Sequence, residues 1–282
     1  MYAIEVAGLA KRYGKIEALR GVDLAVPEGA VFGLVGPNGA GKTTLIKTLV
    51  GALRPSDGEV RVLGLEPLKD RSELRQYIGY MPQFPALYED LSARDNIEFF
   101  GAAHRAPDLR EKVEDVLRLT ELTARANDPV HTLSGGMKRR VSLAGALVHQ
   151  PKMLFLDEPT AAVDPQLRSR LWETFRKLAK GGVTLFISTH LMDEAMLCNR
   201  VAILREGRII TSDTPRRILQ KGNTRLLVDR NGEEEEKIIG GYPEDLAAAL
   251  RSYGLSPEVA AVSVEADSLE TVILSLIGKE VA

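Results

Sequence analysis

The chain has 282 residues, 44% of them hydrophobic and 27% charged, enough for one medium domain with a small appendage or for two modest domains. A formal net charge of −2 leaves no basic footprint of the kind that nucleic-acid binding requires, so no nucleic acid is expected as a partner. A single cysteine excludes an intrachain disulfide and, with only 4 histidines, argues against a structural zinc site.

The N-terminal run MYAIEVAGLAKRYG is charged from Glu5 onward and has no long apolar core, unlike a signal peptide. The most apolar stretches fall well short of the roughly 18 to 20 residues that span a bilayer, so no direct membrane insertion is expected. Val31, Phe32, Gly33, Leu34 and Val35 predict a buried strand, and residues 42–50 the helix after it. Between them Gly36, Pro37, Asn38, Gly39, Ala40, Gly41, Lys42 and Thr43 satisfy G-x-x-x-x-G-K-[ST], with Thr44 continuing into the helix. Glycines allow the tight turn that points successive N–H groups at phosphate oxygens, and the helix start adds partial positive charge. Lys42 can reach the β- and γ-phosphates of a nucleotide, and the Thr43 hydroxyl can ligate Mg²⁺. A P-loop alone does not separate transport ATPases from GTPases, kinases or AAA-type machines, but the guanine-reading Asn-Lys-x-Asp of small GTPases is absent.

From about residue 88 to 150 strand signals give way to helical ones, as in 108–119, which predicts a helical insertion. Its last helix opens on Leu133, Ser134, Gly135, Gly136, Met137, Lys138, Arg139 and Arg140. Ser134 has the chemistry of an N-cap, and Gly135 and Gly136 leave backbone N–H groups exposed as a second phosphate-binding surface. One chain does not easily fold that insertion onto its own P-loop, so a second subunit is implied.

Met153, Leu154, Phe155, Leu156 and Asp157 form an apolar strand that ends, with Glu158, in adjacent carboxylates. A strand delivers its last residues to the carboxyl edge of a sheet, where the P-loop also lies. There Asp157 can hold Mg²⁺, and Glu158 can polarise the water that attacks the γ-phosphate. Helical spacing at 165–179, a strand at 183–188 and helical spacing at 191–198 complete the alternation. The predicted fold class is α/β, a P-loop NTPase core with a mostly parallel sheet covered on both faces. Near residue 221 the composition shifts. Turn signals and the acidic run Glu233, Glu234, Glu235, Glu236, read as a solvated turn or strand edge, are followed by a helix at 244–252, an alternating stretch at 259–264 and an apolar helix at 269–277. The predicted organisation is an ATP-binding domain at 1–220 and a small α+β domain at 221–282.

These motifs, in this order, resemble the nucleotide-binding domain of the ATP-binding cassette (ABC) family over roughly residues 2–220. Residues 133–137 are similar to the family signature Leu-Ser-Gly-Gly-Gln, with Met137 in place of Gln. The resemblance implies that Tyr13 stacks on adenine and that Gln83 joins the Mg²⁺ and water network and couples to a transmembrane partner. It implies that His190 contacts the γ-phosphate and that Asp164 lies in a loop crossing a dimer interface, where Ala162 replaces a common glycine. The expected protein is an ATP-hydrolysing subunit that uses ATP and Mg²⁺, pairs head to tail with a second nucleotide-binding subunit (a homodimer), and docks on a transmembrane permease. It would then be cytoplasmic, peripheral on the inner face of the cell membrane. Each site would join Tyr13, residues 36–44, Gln83, Asp157, Glu158 and His190 of one chain to Ser134, Gly135 and Gly136 of the other. The basic residues after Gly136, the run 188–195 and the run 268–273 resemble the bacterial exporter branch that handles drugs, polysaccharides or lipids. The alternatives are an uptake-type transport ATPase and a non-transport ABC ATPase acting on nucleic acid or ribosomes.

Overall fold

The computed structural model describes residues 1–161, 163–254 and 259–280, without the side chains of 277–280. Ala162, noted above for replacing a glycine, lies outside the described residues. The chain forms two compact units, Met1–Ile209 and Ile210–Ala282.

In chain order the elements up to residue 213 are β1 (Tyr2–Tyr13), β2 (Ile16–Pro27), β3 (Val31–Val35), α1 (Lys42–Leu49), β4 (Asp57–Val62), α2 (Arg71–Tyr77), β5 (Ile78–Met81), α3 (Ala93–Ala103), α4 (Leu109–Leu119), α5 (Gly135–Leu147), β6 (Met153–Asp157), α6 (Pro165–Lys180), β7 (Thr184–Thr189), α7 (Met192–Ala195), β8 (Arg200–Arg205) and β9 (Arg208–Asp213). The main sheet has the order β5-β6-β7-β3-β8-β9. Its first five strands are parallel, and β3, β6 and β7 are buried on both faces, which is why they read as unbroken apolar runs. Phe155, Phe186 and Phe32 sit in register on neighbouring strands, and the Phe32 and Phe186 rings stack at 5.6 Å. β9 turns back from β8 through Glu206 (φ 48°) and Gly207 (φ 77°), the paired positive φ that a two-residue hairpin turn demands.

A second, antiparallel sheet of order β2-β1-β4 was not foreseen as a separate layer. Ile4, Val6, Leu9, Leu19, Val22, Leu24 and Val26 turn inward from it. Register shifts, one of them between Val6 and Leu9, interrupt the two-residue alternation that would have announced these strands. The expected helical insertion is present as α3, α4 and α5, and α3 opens on a capping box between Ser92 and Asp95. The expected helix at 191–198 shrinks to the four residues of α7. Its end is drawn off the helical path: the Leu197 and Cys198 N–H groups close tight turns onto the Glu194 and Ala195 carbonyls, and the Asn199 N–H goes to the distant Val31 carbonyl.

The second unit holds α8 (Pro215–Leu219), β10 (Asn223–Arg230), β11 (Glu233–Gly240), α9 (Pro243–Tyr253), β12 (Val259–Ala266) and α10 (Leu269–Glu280). Its antiparallel sheet has the order β11-β10-β12, and α9 covers Leu226 and Val228. The acidic run lies exposed on the edge strand β11, after the turn formed by Asn231 (φ 55°) and Gly232 (φ 86°). No helix among the described residues is long and apolar enough to cross a membrane.

Candidate ATP-hydrolysis site

Because β3, β5, β6 and β7 are parallel, their carboxyl ends share one edge of the sheet. That edge carries the P-loop after Val35, Gln83 just past Met81, Asp157 and Glu158 at the end of β6, and His190 after Thr189. Residues far apart in sequence therefore converge without any irregular chain path.

The P-loop is clamped from two sides. A Cβ on Gly36 would stand 2.2 Å from the Leu204 carbonyl oxygen, and one on Gly41, at φ 109°, would stand 2.6 Å from that of Ala18. Only glycine fits either place, and the loop closes into the start of α1, whose N-cap Gly41 offers no side-chain acceptor to the helix N–H groups. Lys42 folds back over the loop. Its Nζ donates to the carbonyls of Gly36 (2.8 Å) and Pro37 (3.2 Å) and pairs with Glu158 Oε1 at 3.2 Å.

Glu158 is the hub. Besides Lys42, its carboxylate accepts from Gln83 Nε2 at 3.2 Å and lies 3.5 Å from His190 Nδ1. Its backbone is left-handed, at φ 50°, a conformation that costs a non-glycine residue about 1 to 2 kcal/mol. Bonds on both sides hold it there. Its N–H donates to the Ser188 hydroxyl (3.0 Å) and carbonyl (3.2 Å), and Arg139 donates to its carbonyl at 2.7 Å. Burial holds the Arg139 guanidinium below its ordinary pKa, while Glu158 opposes that shift.

Asp157 is fully buried. Its Oδ1 accepts the Ser188 hydroxyl at 2.6 Å, whereas its Oδ2 has no hydrogen-bond partner. Burial, and secondarily the Asp157 charge, push the Tyr80 phenol up to about 12, so it stays protonated beside the carboxylate. An orphaned buried carboxylate oxygen, with the Thr43 hydroxyl and Gln83 amide as further hard oxygen donors, fits Mg²⁺.

The structure thus gathers Lys42, Gln83, Glu158 and His190 into one cluster, with Asp157 next to it. Tyr13 stands at the tip of the β1–β2 hairpin, 46% exposed, with Lys11 Nζ 5.0 Å from its ring centroid. Ser134 caps α5, its hydroxyl accepting from the Met137 N–H, and Asp164 caps α6 by accepting from the Leu167 N–H. Among the described residues no hydrogen bond or ion pair joins Ser134, Gly135 or Gly136 to the P-loop. The insertion does reach the site, but through Arg139. Arg139 and Ser188 were not singled out for this from the sequence. The run of cations after Gly136 is the one sequence signal for Arg139, and nothing along the chain singles out Ser188, which strand pairing sets across from Asp157.

A parallel sheet whose carboxyl edge joins a P-loop to adjacent buried carboxylates defines a P-loop ATPase, and the helical insertion opening on Ser134 narrows the class. Residues 19–161 match the ABC transporter family, and the chain belongs to it as the ATP-binding, ATP-hydrolysing subunit of a membrane transporter. It is 37% identical over 263 residues to a Nod factor export ATP-binding protein I of Rhizobium sp. (strain N33), spanning 91% of this chain and 83% of that one. It is 41% identical over 215 residues to the daunorubicin resistance ATP-binding protein DrrA3 of Streptomyces coeruleorubidus, spanning 75% and 68% of the two chains. Among solved structures it resembles the ATP-binding cassette MJ0796 in a dimeric post-hydrolysis state bound to ADP and Pi. That likeness has 27% identity and a TM-score of 0.68, and it covers 75% of this chain and 98% of the other.

Proposed function

We propose that this subunit energises export, hydrolysing ATP in sites shared between two copies docked on a transmembrane permease at the inner face of the cell membrane. One observation carries the shared site. The residues that can handle phosphate and water cluster around Glu158, while among the described residues the second phosphate-binding helix start, Ser134 to Gly136, makes no hydrogen bond or ion pair with that cluster and has open space around a Cβ built on Gly135. Two chains related by a two-fold axis would bring each helix start to the other's P-loop. The dimeric state of the similar cassette supports this, and the two curated relatives, named for export and drug resistance, support the direction.

Within such a site the 36–44 loop cradles the β- and γ-phosphates, and Lys42 moves from the Gly36 and Pro37 carbonyls and Glu158 to phosphate oxygens. Tyr13 offers its exposed ring to the adenine. Asp157, Thr43 and Gln83 hold Mg²⁺, which supplies charge neutralisation on the phosphates when bound. Freed from Lys42, the Glu158 carboxylate orients the attacking water and takes its proton, and His190 faces the same space. The bond from the γ-phosphorus to the bridging oxygen breaks, and ADP and phosphate leave. For the permease, Phe84 beside Gln83 is 80% exposed, and near the start of the insertion Tyr88 and Phe99, in edge-to-face contact, and Leu91 are exposed apolar side chains too.

The test is ATP-driven assembly. Glu158→Gln chains should move from monomer to dimer on a sizing column when ATP is added, and a further Ser134→Arg change should block the shift while leaving ATP binding to the monomer largely intact. Dimers that form equally well without nucleotide, or despite Ser134→Arg, would overturn the shared site.

A further inference from the structure

Behind His190 lies a buried polar chain that the hydrolysis scheme does not use. Glu194, in α7, is 1% exposed, and its Oε2 accepts the Thr189 hydroxyl at 2.6 Å. Thr189 Oγ1 in turn accepts the Leu191 N–H at 3.0 Å, so the residues on both sides of His190 are tied to one carboxylate. The other oxygen, Oε1, has no hydrogen-bond partner, and 3.8 Å away stands Arg168 Nε, equally without one. Arg168 Nη2 reaches the Val163 carbonyl at 3.4 Å, in the segment that leads from Glu158 into α6. Cys198 closes the far side, its thiol donating to the Glu194 carbonyl at 3.5 Å and pushed up to about 12 by burial and then by Glu194.

A carboxylate this deeply buried is costly unless a cation compensates it, and its geometry is stiff once compensated. We propose that Arg168 and Glu194 are positioning residues, a brace joining the segment after Glu158 to the turn that carries His190. Neither touches the Glu158 cluster. The brace fixes the Thr189–Leu191 turn against α6 and so sets how closely the His190 ring approaches the Glu158 carboxylate, 3.5 Å in this structure. A loosened turn lets the ring drift from the reacting centre without disturbing the P-loop, so turnover suffers and nucleotide binding does not. The proposal rests on the assignment of His190 to the hydrolytic site.

The experiment is steady-state ATPase kinetics on the full chain, with thermal melts, for Arg168→Gln, Arg168→Lys, Glu194→Gln and His190→Ala, and for each brace variant combined with His190→Ala. Arg168 is a third exposed, so its variants should fold even where Glu194→Gln does not. Expected are a fall of roughly tenfold or more in kcat for Arg168→Gln and Glu194→Gln with an unchanged KM for ATP, and substantial recovery in Arg168→Lys. In the His190→Ala background the brace variants should cost nothing further, since they act through that ring. If the losses multiply instead, or if Arg168→Gln turns over within about twofold of the parent, the brace is overturned while the His190 assignment stands. A His190→Ala chain with undiminished kcat overturns the assignment of His190 itself, and the brace with it.

Discussion

Lys42 Nζ lies 3.2 Å from Glu158 Oε1, and both side chains are almost wholly withdrawn from solvent. The P-loop cation and the Glu158 carboxylate are thus each other's counter-ion. In the proposed scheme the phosphates of ATP compete with Glu158 for the ammonium group, and breaking the pair frees the carboxylate to act as a base.

Replacing Glu158 by Gln keeps the side chain's shape and its contact with Gln83 but removes the basic oxygen. ATP binding should persist and turnover should fall by about 10² to 10⁴-fold, the loss associated with a positioned general base. Single-turnover hydrolysis checks this, and a near-normal rate would remove Glu158 from that role.

Lys42→Ala should act twice. It deletes a cation from the phosphate cradle, so calorimetry should find nucleotide affinity largely lost. It also strands Glu158 in a site only 6% exposed, which breaking a buried pair prices at about 3 kcal/mol of stability. Adding Glu158→Gln should return all but about 1 kcal/mol in urea unfolding, because the stranded charge is then gone. A double variant no more stable than Lys42→Ala would contradict the pairing.

Ser188→Ala removes the donor to Asp157 Oδ1 and the acceptor of the Glu158 N–H together. A hydrogen bond to a charged group contributes about 1.5 to 3 kcal/mol, so the Mg²⁺ concentration for half-maximal ATPase activity should rise roughly tenfold to a hundredfold. Mg²⁺ titration of the two proteins at fixed ATP reads this out, and an unshifted curve would deny Ser188 that role.

His149 should make the first unit sensitive to acid. Its ring stacks on His104 at 3.8 Å, its Nε2 donates to the Ile78 carbonyl, and burial, then His104, then Lys112 lower its pKa to about 4, with only the Ile78 bond opposing. His104, bonded to the Arg75 carbonyl, is lowered too, by burial first. The unfolded chain takes up this proton near pH 6.5 and the folded one only near 4, so the unfolded state binds more protons in between. The stability that neutral His149 confers is therefore complete above about pH 6.5 and is lost as pH falls towards 4, by about 2 to 3 kcal/mol. Urea midpoints measured from pH 7.5 down to 4.5 should fall more steeply for the parent than for His149→Gln, and parallel curves would refute the account.

The sequence laid open those parts of the site whose geometry is made by neighbours in the chain. An apolar strand, a glycine loop and a helix in succession leave the backbone of residues 36–44 few arrangements, and β6 with its two terminal carboxylates is equally local. The capping role of Ser134 was legible for the same reason, since a cap reaches only to the next turn. The antiparallel sheet was hidden because bulges break the alternation along β1. The shortness of α7 was hidden because the Asn199 N–H goes to Val31, far away in the chain, a bond that helical spacing does not register.

What only the tertiary structure decided is who meets Glu158. Gln83 stands 75 positions away, yet parallel pairing of β5, β6 and β7 puts both residues on one edge, because parallel strands present all their carboxyl ends together. The same pairing sets Ser188 across from Asp157, and the insertion returns Arg139 to the Glu158 carbonyl. No spacing along the chain encodes these meetings. They follow from which strands lie side by side, and burial on both faces explains why the apolar strands β6, β7 and β3 stand inside the sheet with neighbours on either side.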